Sequence, residues 1–211
     1  MTAKEGAGSS PYAFQLTIDV RADGHAAYRA YKLETLRHLG ELPGHRWTLL
    51  LAGDAANPDR YYQFSQFDSE AALDASMNAP AVREVVARVR PYRYMTRSPA
   101  RRDVMTVLLD RAADAPAGAA RWCSRLHHRP PSELETGRLV DRLPSPLQDK
   151  AAGIGRRLLL RGVHDRAEVV ALAVRAGPGD GRQGLDGSTA EPGRGLCEVV
   201  LDLPPRHVRT R

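Results

Sequence analysis

Two hydrophobic periodicities alternate along the first hundred residues, and their order leaves few possible topologies. Alternation with a period of two predicts strands over FQLTIDV, HRWTLLLAG and RYYQFSQF, and YRYMT predicts a last strand. Helical spacing predicts a helix over HAAYRAYKLETLRHLG, and two short helices follow the third strand. The order strand, helix, strand, strand, helix, strand is that of a ferredoxin-like α+β unit, with helices on one face of an antiparallel sheet. The other face needs a second sheet, from a partner chain or from the same chain.

Capping and turn residues fix the ends of these elements. Asp23 is placed to cap the first helix, and Asp68 or Ser69 to cap the second. Pro80 stands near the first-turn position of the third helix. The turn signal DAANPD, residues 54–59, joins the second and third strands into a hairpin.

The third strand presents two different faces. Successive strand residues point to opposite sides, so Tyr62 and Phe64 share one face and a mixed polar and aromatic row shares the other. That row consists of Tyr61, Gln63, Ser65 and Phe67. We expect the row to face the helices and to line a cavity there, with Tyr62 and Phe64 facing the second sheet.

The second half of the chain resembles a degenerate copy of the first. VMTVLLDRAAD, residues 104–114, aligns with FQLTIDVRAD at an offset of 91, and LLLRGVHDRAEVVALAV aligns with the predicted hairpin. The final CEVVLDL would supply the closing strand. We therefore expect strands near 104–110, 156–161 and 167–174 to pack on the first sheet.

The expected organisation has three parts. Residues 1–11 form a tail, residues 12–100 a ferredoxin-like unit, and residues 101–211 a degenerate second unit. The second unit contains a Gly- and Pro-rich loop over 177–195, whose composition does not favour helices. The chain would be a monomeric pseudodimer if this unit supplies the second sheet, or a homodimer if a second molecule supplies it.

Composition narrows the class of protein. The 211 residues are 42% hydrophobic and 27% charged, with no run of 18 apolar residues and no signal-peptide core, so we expect a cytoplasmic protein with no membrane partner. The net charge is +6, but the basic residues are scattered and not interleaved with aromatics, which does not favour nucleic acid. Cys123 and Cys197 have no CxxC or His-rich neighbourhood, so neither a disulfide framework nor a metal site is predicted.

The segment RYYQFSQFDSEAAL, followed by MNAPAVREVV, resembles the antibiotic biosynthesis monooxygenase family of dimeric α/β barrels. The resemblance covers about residues 12–100. It implies oxygenation of an aromatic polyketide, as in anthrone oxygenases that use neither metal nor bound cofactor. The double unit is similar to the tandem ring-opening oxygenases of angucycline pathways, which implies reduced flavin (FMN or FAD) as co-substrate, a flavin reductase as partner, and molecular oxygen.

The resemblance also assigns roles to three positions. Gln63 matches an asparagine of the anthrone oxygenases and keeps an amide that could bind a phenol or stabilise an enolate-like oxygen. Phe67 matches a tryptophan and Leu73 a tyrosine, so two of the three family residues differ.

Several other residues are candidates because of their chemistry. His45 and Trp47 stand two apart on the second strand, hence on one face, where the histidine could remove a phenolic proton and the indole could stack on a polycyclic ring. Tyr28 and Tyr31 could border the cavity from the first helix. Arg83 could attract a phenolate or a flavin phosphate.

Three functions remain open on this reasoning. The first is an oxygenase of a polycyclic aromatic polyketide, with Gln63 and His45 as catalytic residues. The second is a polyketide cyclase, which needs an acid or base but no oxygen. The third is a noncatalytic barrel that binds an aromatic ligand or supports a partner oxygenase, because fold alone does not decide function.

Overall fold

The computed structural model of the chain describes residues 11–88, 95–112, 120–128, 154–166, 168–176 and 194–203. These residues contain three α-helices: α1 (His25–Glu41), α2 (Glu70–Met77) and α3 (Pro80–Arg88). They also contain eight strands: β1 (Tyr12–Asp19), β2 (His45–Ala52), β3 (Arg60–Phe67), β4 (Arg101–Ala112), β5 (Ala120–His128), β6 (Ile154–Gly162), β7 (Val169–Ala176) and β8 (Arg194–Leu203).

The eight strands form one closed barrel in the order β1-β3-β2-β8-β5-β7-β6-β4. All neighbouring strands are antiparallel. The barrel divides into two halves of identical order, β4-β1-β3-β2 and β8-β5-β7-β6, which is the strand order of the ferredoxin-like unit. The predicted α+β fold of two tandem units in one chain is therefore confirmed.

The strand order corrects one part of the predicted repeat. Strands were expected near 104–110, 156–161 and 167–174, and β4, β6 and β7 confirm them. However, β4 pairs with β1 and is the fourth strand of the first half, not the opening strand of the second. The opening strand of the second half is β5, which the sequence did not predict as a strand. Alternating residues show that a strand exists, but only its hydrogen-bonded neighbours show its place in the sheet.

Some predicted elements fall outside the described residues. The predicted strand over 92–96 is described only in part, and there Thr96 makes an isolated bridge to Val20. Residues 177–193 of the predicted loop and residues 1–10 of the predicted tail lie outside as well. The last two residues of that loop, 194 and 195, belong to β8.

The barrel interior is an apolar core to which both halves contribute. On β3, Tyr62 and Phe64 point inward, as predicted. They meet buried side chains of the other strands, among them Leu49, Leu51, Leu158, Leu160, Val170 and Leu172. On the outer face of β3, Tyr61 packs in a second cluster with Tyr28 and Leu36 of α1, which also confirms the predicted direction of this row.

The helices cover the outer face of the first half. The buried positions of α1 follow helical spacing and include Tyr28, Lys32, Leu36 and Leu39. The residue at its N-cap is Gly24, with no side-chain cap, so the cap predicted at Asp23 is wrong. Ser69 does cap α2 by accepting a hydrogen bond from the Ala72 amide at 3.1 Å. No helix in the described ranges is long and apolar enough to span a bilayer.

Candidate active site

A row of hydrogen-bonded side chains lies on the outer face of the sheet, beneath α1. Lys32 Nζ donates to Gln63 Oε1 at 3.1 Å, and Gln63 Nε2 donates to Ser65 Oγ at 3.1 Å. Ser65 Oγ is 2.8 Å from Thr48 Oγ1, which is 2.9 Å from His45 Nε2. We call these five residues, Lys32, Gln63, Ser65, Thr48 and His45, the polar row.

The polar row is shielded from solvent along its whole length. Each of its five side chains is buried, and the largest exposed fraction among them is 8%. Burial lowers the pKa of Lys32 to about 8, because the charged ammonium loses solvation beneath α1. Lys32 therefore changes charge close to neutral pH, next to the Gln63 amide. The Gln63 amide accepts from Lys32 through its oxygen and donates to Ser65 through its nitrogen, so it is fixed in one orientation, which suits it to hold an oxyanion in place.

One end of the row reaches a cleft at the C-terminal end of α1. The cleft has a volume of about 580 Å³ and is lined by Glu41, Leu42, Pro43, Gly44, His45, Arg46, Trp47, Gln66, Asp68 and Asp110. Gly44 has a φ of 82° at the turn into β2, a region that favours glycine. This turn places His45 at the boundary between the buried row and the cleft.

The structure separates His45 from Trp47, although the sequence predicts that they share a face. The ladder between β2 and β3 shifts register between these two residues, as at a β-bulge, which inserts one extra residue. As a result His45 lies on the helix side, with its ring 5.3 Å from that of Phe67. Trp47 points into the barrel, where it packs in the core and its Nε1 donates to Gln66 at 2.8 Å. The prediction that His45 and Trp47 share a face of β2 is therefore wrong, although both residues line the cleft.

His45 also differs from expectation in its exposure. A residue at the start of a strand after a Pro-Gly turn is usually exposed, but His45 is 8% exposed and bonded to Thr48. The bulge buries it by turning its ring under α1.

The family positions altered in this chain form a small apolar cluster. Phe67 stacks on Phe14 with the ring centroids 6.3 Å apart, and Leu73 of α2 packs against both. This cluster borders the His45 end of the polar row. Phe67 and Leu73 therefore add an apolar wall where the resembled family carries a tryptophan and a tyrosine.

Three other predicted residues lie at different distances from the row. Tyr28 is buried, and Lys32 Nζ lies 6.0 Å from the centroid of its ring. Tyr31 is half-buried, with the same Nζ 5.9 Å from its ring, and burial raises its pKa. Arg83 is exposed on α3, which packs inward through Val82 and Val85 instead. The prediction that Arg83 binds substrate is not supported by this position, because its helix turns it to solvent.

Tyr61, predicted to bind substrate, lies at the other end of α1. Its hydroxyl contacts His25 Nδ1 at 3.2 Å and accepts from Arg29 Nε at 3.3 Å. It is therefore on the same face as Gln63 but belongs to a different group of side chains.

Sequence reasoning missed two residues of the row, Thr48 of β2 and Lys32 of α1. Lys32 stands four residues after Tyr28 on the buried stripe of α1, and that spacing was the available signal. A lysine at a core position of an amphipathic helix requires a polar partner, and Gln63 is that partner. Within the described residues, no group of three or more His, Cys, Asp and Glu side chains is arranged to hold a metal ion.

Comparison with known proteins supports the architecture and identifies the first half. Residues 11–88 match the antibiotic biosynthesis monooxygenase family model. No curated protein shows significant sequence similarity to the chain. The family match supports a monooxygenase-type function.

Three solved structures share the fold over nearly the whole chain. A candidate monooxygenase from Fusobacterium nucleatum is 11% identical, with a TM-score of 0.71 over 94% of this chain and 95% of that one. A candidate monooxygenase from Lactobacillus acidophilus is 10% identical, with a TM-score of 0.61 over 92% and 95%. An anthrone oxidase-like protein is 13% identical, with a TM-score of 0.56 over 93% of each chain. At these identities the likeness shows the fold alone. The sequence match together with the barrel identifies residues 11–88 as a domain of the antibiotic biosynthesis monooxygenase family.

Proposed function

We propose that the protein oxygenates an aromatic polyketide intermediate at the His45 end of the polar row. The observation that carries the proposal is the buried connection from Lys32 through Gln63 to His45, which ends in a cleft of about 580 Å³. A histidine at a cleft can remove a phenolic proton, and groups held in advance can stabilise the resulting oxyanion. The similarity to an anthrone oxidase-like fold and the family match are consistent with this chemistry.

In the proposed reaction, a phenolic hydroxyl, or a ring CH₂ conjugated with a carbonyl through the aromatic rings, loses a proton to His45. The electron-rich carbanion or enolate then reacts with molecular oxygen, which is reduced as the carbon is oxidised. For an anthrone the net change is CH₂ plus O₂ to C=O plus H₂O, which balances without another reductant. Thr48 fixes the orientation of His45, and the apolar cluster of Phe67 and Leu73 excludes water.

A flavin-dependent reaction is the alternative form of this proposal. A flavin reductase would provide reduced FMN or FAD, which would supply the electrons for oxygen activation. The residue predicted to bind the flavin phosphate, Arg83, is exposed on α3 and does not line the cleft. The residue predicted for the flavin phosphate is therefore away from the cleft, and we derive no step through the flavin.

Oxygen uptake with anthrone as probe tests the proposal directly. In the cofactor-free form, we expect protein-dependent uptake of oxygen and one ¹⁸O atom from ¹⁸O₂ in the product carbonyl. A parallel reaction with reduced FMN and a flavin reductase, corrected for oxygen use without the protein, tests the flavin form. Absence of protein-dependent oxygen uptake with anthrone and with a hydroxylated angucyclinone, in both arms, would refute the proposal.

The noncatalytic alternative rests on one specific observation. Gln63 and His45 already hydrogen bond to protein groups, and Phe67 and Leu73 pack on each other, so the same region could hold an aromatic ligand without reaction. Binding of the probes without oxygen uptake or ring closure would favour this function, whereas ring closure without oxygen would favour a cyclase. We also propose a monomeric pseudodimer, because one chain closes the barrel, and sedimentation equilibrium tests this state.

A further inference from the structure

A second cleft lies at the N-terminal end of α1, away from His45. Its volume is about 480 Å³, and it is lined by His25, Arg29, Ala52, Gly53, Pro58, Tyr61, Trp122 and Glu198. Trp122 of β5 and Glu198 of β8 come from the second half of the barrel, and the other lining residues come from the first. This cleft, which we call the N-terminal cleft, is therefore completed only when both halves assemble.

A chain of hydrogen bonds ends on the Tyr61 hydroxyl in this cleft. Asp59 Oδ1 is 3.0 Å from His25 Nε2, and His25 Nδ1 is 3.2 Å from the Tyr61 hydroxyl. Arg29 Nε donates to the same hydroxyl at 3.3 Å. Outside this chain, Arg97 pairs with the second oxygen of Asp59, and Glu198 pairs with Arg29.

The chemistry of the partners fixes the positions of the protons. The Asp59 carboxylate can only accept, so the neutral His25 ring carries its proton on Nε2 and donates it to Asp59. His25 Nδ1 is then an acceptor, so the Tyr61 hydroxyl donates to it, while the Tyr61 oxygen accepts from Arg29. A phenol oxygen has a second lone pair, which leaves one acceptor position on Tyr61 after Arg29 is bound.

The turn before β3 fixes the backbone at Asp59, the residue whose carboxylate ends this chain of hydrogen bonds. Asp54 Oδ1 accepts from the backbone amides of Ala56 and Asn57, at 3.0 and 2.9 Å. At the end of this turn the Asp59 carbonyl accepts from the Val20 amide at 2.8 Å. Asp59 is thus fixed by the fold before it meets His25, as expected for a group that orients a base.

We propose that the N-terminal cleft binds a small planar aromatic molecule through a hydroxyl group and removes the proton of that hydroxyl. The indole of Trp122 offers a flat wall, and Ala52, Gly53 and Pro58 leave room for a ring beside it. The ligand hydroxyl donates to the open position of Tyr61. Tyr61 passes its own proton to His25 as it receives the proton of the ligand, so the O–H bond of the ligand breaks and the new N–H bond forms on His25.

The charges around this path stabilise the product of the transfer. The imidazolium formed at His25 faces Asp59, and the phenolate of the ligand lies near the guanidinium of Arg29. A hydrogen bond to Glu198, opposed by burial, raises the pKa of Arg29, so it stays charged. The site does not use the polar row, and it does not depend on the oxygenation proposed above.

Ionisation of 4-nitrophenol tests this proposal, because its phenolate is coloured and its protonated form is not. At a pH where the free probe is mostly protonated, titration with the full-length protein should give a saturable rise in phenolate absorbance. We expect the ratio of ionised to protonated probe to be at least about tenfold higher in the bound state, a shift of about one pH unit. The phenyl ether 4-nitroanisole, which has no proton to lose, should compete for the cleft and quench Trp122 fluorescence in a Trp47→Phe background.

Matched variants locate the effect. Tyr61→Phe and His25→Gln should abolish the rise in ionisation, and Trp122→Leu should weaken binding about tenfold while bound probe is still ionised. His164→Gln is the control, since His164 is exposed in the turn between β6 and β7. His25 and Arg29 are partly exposed, so His25→Gln and Arg29→Met should fold even if Tyr61→Phe does not, and circular dichroism checks this. No saturable rise with 4-nitrophenol, a rise that persists in His25→Gln, or quenching of Trp122 by 4-nitrophenol without its ionisation would each overturn the proposal.

Discussion

The outer faces of β3 and β7 hold the same position in the two halves of the barrel, yet they differ in chemistry. β3 presents Tyr61, Gln63, Ser65 and Phe67. Since Val170, Leu172 and Val174 of β7 point into the core, its outer face carries Val169, Ala171, Ala173 and, near the strand end, Arg175. The connected row of hydrogen-bonding side chains described above therefore has no counterpart in the middle of β7. The second half completes the barrel and gives Trp122 and Glu198 to the N-terminal cleft.

The inner faces show the opposite pattern, because both halves contribute large apolar residues to one core. A closed barrel has no free edge, so either half alone would expose two unpaired strand edges and its side of the shared core. This difference separates two demands on the sequence. The need for apolar core residues constrains the sequence of both halves, whereas the need for the polar row constrains only the first half.

The largest expected effect tests whether the core is shared equally. Leu49→Ala on β2 and Leu158→Ala on β6 each remove a fully buried side chain from opposite halves. We expect each to lower the free energy of unfolding by about 2–5 kcal/mol, the usual cost of such a cavity. Urea denaturation followed by circular dichroism measures both. A near-neutral Leu158→Ala would mean that the second half is not part of the cooperative core.

Burial of Lys32, a residue of the first half, predicts that the free energy of unfolding depends on pH. The pKa of Lys32 is about 8 in the fold and about 10.4 in an unfolded chain, so between these values the unfolded state binds more protons. Stability should therefore rise with pH from about 8 to 10.4, by about 3 kcal/mol as an upper bound. The measurement compares wild type with Lys32→Met across this range, because other groups titrate equally in both. Parallel pH profiles would show that Lys32 is not desolvated.

Turnover should depend on the polar row and not on its counterpart in β7. We expect Gln63→Leu or His45→Ala, at least one of the two, to lower the rate on an accepted substrate more than about tenfold. A tenfold loss in rate corresponds to about 1.4 kcal/mol in the activation free energy, and we expect the affinity for the substrate to change less. Ala173→Ser on β7 is the matched control and should keep the parental rate. If both first-half variants react at near parental rates, the acid-base role of the row is wrong.

A smaller effect should appear where the halves meet inside the barrel. The guanidinium of Arg125 lies 4.0 Å from the ring centroid of Tyr62, which joins β5 to β3. We expect a double-mutant cycle of Arg125→Met and Tyr62→Leu to give a coupling of about 0.5–2 kcal/mol, as for cation–π pairs with reduced solvation. Additive effects within about 0.3 kcal/mol would show that this contact does not hold the halves together.

The sequence by itself determined the local structure of the first half and the faces of β3. Alternation in RYYQFSQF required Tyr62 and Phe64 to share a face, and burial then directed them to the core. Ser69 and Pro80 marked the starts of α2 and α3, because a cap side chain and a fixed φ act on their own neighbours. These features depend on residues a few positions apart, which is why they can be read from the chain.

Only the tertiary structure decided which strands are partners and which side chains meet. A single register shift in β2 moved His45 to the helix side while Trp47 stayed in the core, and an alternating pattern cannot show such a shift. The pairing of Lys32 with Gln63 joins residues 31 positions apart, and the cleft at Tyr61 brings in Trp122 and Glu198 from the other half. Long-range contacts of this kind arise from closure of the barrel, which depends on the pairing of all eight strands and not on any one segment.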